Sequence, residues 1–272
     1  MVDRVDSRYL LIQCSVVETP TLREWLREDE FTLAMSAGFF GFFAHAGMLV
    51  TLEDAGLLPA RVTGASAGAL VGGLWAGGVD ACAQRDTLMR LRRDDFWDPA
   101  IGFGLLRGAL FRSMLSDLLP VQSFEACRVP AALSVYDLLA RATRVLDRGD
   151  LAPAIQASCT LPGLFHPLWV DGRPLLDGGV LDRPGVAGAR PNTRVLHHHL
   201  ASRSPWRRKA SASLTPPRRT GLVALVVDGV ARVGPFRLAA GKNAFEQARV
   251  STALALDQRL ADGIVRTSAR EA

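Results

Sequence analysis

Residues 61–78 read RVTGASAGALVGGLWAGG, and the order of chemistry in them decides the fold. A short β-prone run, Arg61 to Thr63, leads into Gly64-Ala65-Ser66-Ala67-Gly68, which opens a Gly/Ala-rich stretch of helical length. Strand, tight turn and helix in succession is the setting of a nucleophile elbow. There the serine stands at the strand's end, small neighbours leave room for a carbonyl, and the helix N-terminus puts partial positive charge near a developing oxyanion. A plainer reading is a Gly/Ser turn in which Ser66 only caps the helix.

Upstream, FTLAMS (31–36) reads as a strand, followed by a Gly/Phe loop and a helix from about 43 to 55. Downstream, 154–159 reads as a short helix stopped by Pro162, 222–228 (LVALVVD) as a buried strand, and 242–260 as a closing helix. Strands alternating with helices predict an α/β fold, a three-layer sandwich with a mainly parallel central sheet. One domain spanning 1–272 is expected, with its motif-bearing core at about 30–185.

The composition, 49% hydrophobic and 22% charged, is that of a chain with a core to bury and excludes a largely disordered or collagen-like protein. The twenty uncharged residues 31–50 match a membrane span in length, but three glycines, Ser36 and His45 divide them, so a strand, loop and helix are expected instead. The acid-containing N-terminus and short apolar run Tyr9 to Val17 do not read as a secretory signal, which points to the cytoplasm. Cys14, Cys82, Cys127 and Cys159 are widely spaced without a C-x-x-C pair, so reduced thiols are expected, with no metal site and no cofactor.

Net charge is +5, yet residues 190–219 alone carry +8 with no acidic residue, leaving −3 elsewhere. The segment 201–220 (ASRSPWRRKASASLTPPRRT) has no apolar period and reads as a surface loop. Two roles stay open for it: a solvated connector, or a peripheral contact with an anionic membrane. No aromatic-interleaved basic face or finger spacing accompanies the arginines, so nucleic acid is not an expected partner.

A serine hydroxyl needs a base within hydrogen-bond reach. Of four Asp-Gly pairs, at Asp171, Asp177, Asp228 and Asp262, only Asp177 is followed by two glycines, Gly178 and Gly179. Its apolar lead-in places it at a strand end, with an ordinary β-turn as the alternative. The histidines are His45, His166 and His197 to His199. A triad of Ser66, Asp177 and one of His197 to His199 has the chain order of an α/β-hydrolase, but only about two strands fit ahead of Ser66. Three successive histidines in a β-like run also alternate faces, so they are expected as partly exposed strand residues. His45 is expected as a packing histidine.

Three blocks in order, SAGFFGFFAHAGML (36–49), VTGASAGALVGGLWAGG (62–78) and AIQASCTLPGLFHPLWVDGRPLLDGGVLDRP (154–184), resemble the patatin-like phospholipases. The resemblance implies a Ser-Asp dyad without histidine, Ser66 as nucleophile and Asp177 as base, hydrolysing lipid acyl esters without a metal. It also implies an oxyanion hole in the glycine loop at Gly38, Phe39, Phe40 and Gly41. Where the family reads G-G-G-x-R-G, this chain has Ala37-Gly38-Phe39-Phe40-Gly41-Phe42, so Gly41 replaces the arginine and Phe42 the last glycine. A phenylalanine forced to positive φ there would be strained. The four phenylalanines at 39, 40, 42 and 43 fit an acyl-chain groove or a packed core equally. Two rival functions are a small-ester hydrolase with a histidine-completed triad and a catalytically silent lipid-binding protein of the same fold.

Overall fold

The computed structural model describes residues 19–201, 215–260 and 262–269. The chain begins with α1 (Leu22–Glu28), capped by Thr21 and Glu24 in a reciprocal box. Then follow β1 (Thr32–Met35), α2 (Phe42–Asp54), β2 (Arg61–Ala65), α3 (Ala67–Ala76) and α4 (Ala81–Arg90). The middle holds β3 (Gly104–Leu106), α5 (Ala109–Leu118), β4 (Ala131–Asp137), β5 (Ala142–Leu146), α6 (Leu151–Ser158), β6 (Gly163–Phe165), β7 (Leu168–Val170) and β8 (Arg173–Asp177). The last elements are β9 (Val195–Leu200), β10 (Leu222–Asp228), α7 (Ala240–Leu256) and β11 (Ile264–Ser268).

The main sheet has the order β11-β10-β9-β1-β2-β4-β8-β7, with β5 also on β4. From β11 to β4 every pairing is parallel, while β5, β7 and β8 join antiparallel. Helices lie on both sides, as the sequence led us to expect. All four residues of β1 are buried, because a central parallel strand is covered on both faces. Leu33 and Met35 enter the large core with Met48, Leu49 and Phe245, while Ala34 joins a smaller cluster with Val195, Ala224 and Val226 on the other face. The candidate span 31–50 resolves into β1, the loop and α2, and no helix among the described residues is long and apolar enough to cross a membrane.

One feature of the pairing brings distant residues together. β5 occupies one edge of β4 along Leu133 to Asp137, so β2 and β8 must share the other. β2 runs parallel to β4 and ends at Ala65 opposite Ser134, and β8 runs antiparallel and ends at Asp177 opposite Val135. Two C-termini from segments more than a hundred residues apart therefore meet end to end on one strand. Gly178 lets them meet, since a Cβ there would stand 2.0 Å from Ser134 O.

Two expectations are corrected. His197, His198 and His199 are fully buried rather than partly exposed, because β9 lies inside the sheet between β1 and β10 and both its faces are covered. Phe42 opens α2 with helical neighbours, and it is Phe40 that takes the positive φ, at 53°. The basic segment expected at 201–220 falls largely on residues 202–214, outside the described residues, as does the apolar run at 9–17.

Candidate active site

Ser66 sits between β2 and α3 with φ 54° and ψ −119°, a conformation L-residues avoid. It holds the N-cap position of α3, yet its hydroxyl makes no capping bond. Instead Oγ donates to Asp177 Oδ2 at 2.6 Å. The tight turn depends on Gly68, where a Cβ would lie 2.2 Å from Met35 O, so helix and strand approach at backbone contact.

The elbow is braced from behind by α6. Ser66 N–H donates to Ser158 Oγ at 3.0 Å, and the Ser158 hydroxyl in turn donates to Ser134 O at 2.6 Å. Cys159 Sγ–H donates to Ser66 O at 3.2 Å. Burial, and then the charge of Asp177, push the Cys159 thiol well above its ordinary pKa, so it remains a donor. The sequence gives Ser158 no role and Cys159 only that of a reduced thiol. Their signal was the Ala-Ser-Cys-Thr-Leu-Pro-Gly run at 157–163, read there as family pattern without a physical role.

Asp177 is 4% exposed. Its Oδ1 accepts from Gly179 N–H at 2.7 Å and its own N–H donates to Thr160 O at 2.8 Å, which fixes Oδ2 toward Ser66. Neighbouring Asp182, also buried, accepts from Ser134 Oγ at 2.5 Å and from the amides of Gly185, Val186 and Ala187. It staples the segment after Gly179 to β4.

The Gly/Phe loop follows β1, whose register places Met35 beside Gly64, so loop and elbow emerge side by side from adjacent parallel strands. Ala37 N–H is held by Arg183 O at 2.7 Å, and Gly41 N–H turns inward to Gly38 O at 3.0 Å. The amides of Gly38, Phe39 and Phe40 are left as the loop's candidate donors. Phe43 is buried, Phe40 and Phe42 pack partly against the core, and Phe39 is exposed at 51%. The phenylalanines thus divide between core and surface.

The histidines bond elsewhere. His45 Nδ1 meets His198 Nδ1 at 2.8 Å and its Nε2 meets Ser36 O at 2.8 Å, while His197 Nε2 meets Pro184 O at 3.0 Å. Cys82, Cys127 and Cys159 are free thiols.

A family model described as patatin-like phospholipase matches residues 33–190, which hold Ser66, Asp177 and the Gly/Phe loop. The chain belongs to the patatin-like phospholipase family. Among curated relatives, an uncharacterised NTE family protein of Mycobacterium bovis is 35% identical over 159 residues, covering 55% of this chain and 42% of that protein. The neuropathy target esterase of Drosophila erecta is 28% identical over 180 residues, covering 60% of this chain and 12% of that one. The chain therefore matches less than half the length of either relative. Among solved structures, VipD from Legionella pneumophila shares the fold, with a TM-score of 0.52 at 14% identity over 88% of this chain and 61% of that chain. The patatin-like match ends before β9, so β9, β10, α7 and β11 complete the sheet and its cover from outside it.

Proposed function

We propose that the protein is a lipid acyl hydrolase in which Ser66 and Asp177 act as a dyad. Asp177 accepts the Ser66 proton as Oγ attacks the ester carbonyl, giving a tetrahedral intermediate whose oxyanion is stabilised by the amides of the 38–41 loop. Because Gly41 N–H is committed to Gly38 O, the reading draws on Gly38, Phe39 and Phe40. Collapse expels the alcohol, which takes the proton from Asp177. Water then attacks the acyl-enzyme and gives its proton to Asp177, the acyl carbon–Oγ bond breaks as Asp177 returns that proton to Ser66, and the acid leaves.

The observation that carries this reading is the 2.6 Å bond from a strained elbow serine to a buried carboxylate held by Gly179. Family membership and the esterase named among the relatives favour a carboxylic ester of a lipid as substrate. In the same reading the enzyme works in the cytoplasm, with peripheral contact to membrane lipid. A fluorophosphonate probe tests it: labelling should map to Ser66 and run in parallel with ester turnover. A folded protein that neither labels nor turns over an ester would leave the silent lipid-binding reading.

A further inference from the structure

Ser36, at the end of β1, and His45, in the first turn of α2, bracket the Gly/Phe loop, and both are buried. Ser36 O can only accept, so the 2.8 Å contact requires the hydrogen on His45 Nε2. Burial lowers the His45 pKa to about 4, so the ring is neutral and its Nδ1 presents a lone pair. His198 must then donate through Nδ1–H across the other 2.8 Å contact, which leaves His198 Nε2 buried without a partner among the described residues. The bonds run in one direction, from His198 to His45 to the Ser36 carbonyl.

β9 supplies the rest of the seat. Ser36 N–H donates to His198 O at 3.2 Å, and Leu200 N–H donates to Ser36 Oγ at 2.9 Å. Leu200 Cδ1 lies beneath the loop, 2.6 Å from where a Cβ on Gly38 would be and 2.2 Å from one on Gly41. Between these anchors Phe40 holds φ 53°, a conformation that persists only where its surroundings over-determine it. The neutral histidine pair closes the span carrying that strain.

We propose that His45, oriented by His198, is a positioning residue that fixes the 37–41 loop for acyl transfer at Ser66. This rests on the reading of Ser66 and the loop given above. A Gln amide nitrogen reaches the place of a histidine Nε2 and an Asn amide nitrogen that of Nδ1, so paired variants separate the bonds from the volume. His45→Gln and His198→Asn keep the donor of each ring, although His45→Gln gives up the Nδ1 acceptor that His198 uses, and His45→Asn and His198→Gln lose the donor. We expect kcat on a soluble p-nitrophenyl ester to stay within about threefold of wild type, the scale of one marginal hydrogen bond, in His198→Asn, which keeps both bonds, and to be higher in His45→Gln than in His45→Asn. In His45→Asn and His198→Gln it should fall about tenfold to a hundredfold, the scale of a loop displaced by up to an ångström, with little change in KM. Hydrogen exchange across residues 36–42 should quicken most in His45→Asn and His198→Gln and not in His198→Asn. A merely structural role would lower the melting temperature without this split. Equal kcat within each pair, a loss confined to KM, or unchanged exchange in the slow variants would overturn the proposal. A wild-type protein that neither turns over the ester nor labels at Ser66 sinks the hydrolase reading by itself, and the exchange contrast then decides whether the histidines hold the loop.

Discussion

Replacing Asp177 by Asn changes one atom at the centre of the proposed chemistry, and the structure fixes how that atom is presented. Gly179 N–H donates to Oδ1 at 2.7 Å, so an asparagine must turn its carbonyl oxygen to Gly179 and its NH2 toward Ser66. The amide then faces Ser66 Oγ across the former 2.6 Å contact and cannot take its proton. General base catalysis contributes typically about 10²- to 10⁴-fold. With no histidine bonded to the hydroxyl to replace it, we expect kcat to fall about a thousandfold, equivalent to roughly 4 kcal/mol of transition-state stabilisation. The cap to Gly179 and the pairing of β8 with β4 survive, so stability should change by no more than about 1 kcal/mol. Steady-state hydrolysis of a p-nitrophenyl ester, the fluorophosphonate labelling rate and a urea melt on the same preparation measure all three quantities. A folded Asn variant retaining more than a tenth of wild-type kcat would refute Asp177 as the base.

Other outcomes follow from the same geometry. Ser66→Gly and Ser66→Ala should both be inactive, but the glycine variant should be more stable by about 1 kcal/mol because only it tolerates φ 54°, and equal melting temperatures would remove the claim of strain. Ser158→Ala strips the partner from Ser66 N–H and should cost about 2 kcal/mol and about tenfold in kcat, measured by urea denaturation and ester turnover. Burial depresses the pKa of His45 to about 4 and of His197 to about 3, so below pH 6.5 the unfolded chain binds more protons. Stability should therefore be complete above pH 6.5 and decline by about 1.4 kcal/mol per pH unit per histidine as pH falls toward 4, and a flat urea midpoint between pH 7 and 5 would contradict it. If the +8 segment at 190–219 steers the enzyme to anionic lipid, vesicle binding should weaken with added salt while soluble-ester turnover holds, and deleting 202–219 should abolish the salt response.

The elbow was legible because its signals are local. An apolar strand, a Gly-x-Ser-x-Gly turn and a helix of small residues occupy eighteen consecutive positions, and β2 and α3 fall where that pattern puts them. Asp177 was legible as a strand-end residue from its apolar lead-in, Pro174-Leu-Leu, while Asp-Gly-Gly by itself also fits an ordinary β-turn. What brings it to Ser66 was not legible, because it depends on β5 blocking one edge of β4 and forcing β2 and β8 onto the other. β4 itself, AALSVYD, mixes small, polar and aromatic residues after Pro130 and shows no period that marks it as central. The histidine run failed for a different reason. Alternation along a strand tells which residues share a face, but exposure depends on whether that face is covered, and a strand between two parallel neighbours has no open face.

The burial of that run bears on how the site can exist at all. Ser66 and Phe40 both hold positive φ, one in the elbow after β2 and the other in the loop after its neighbour β1. Each is restrained by buried polar groups drawn from elsewhere in the chain: Ser66 by Ser158 and Cys159 of the α6 end, Phe40's loop by Ser36, His45, His198 and the Arg183 carbonyl. Buried groups of this kind stabilise little on balance, since each gives up hydration to make its bond. Hydrophobic replacements of matching volume would satisfy the core as well, but they could not hold a carbonyl or an amide in one orientation. Their selection at these positions is accounted for by geometry rather than stability. On that argument His198, a buried ring with one nitrogen left unpaired among the described residues, in a strand that also carries buried His197 and His199, is the proposed place where the chain gives up stability to keep its loop in place.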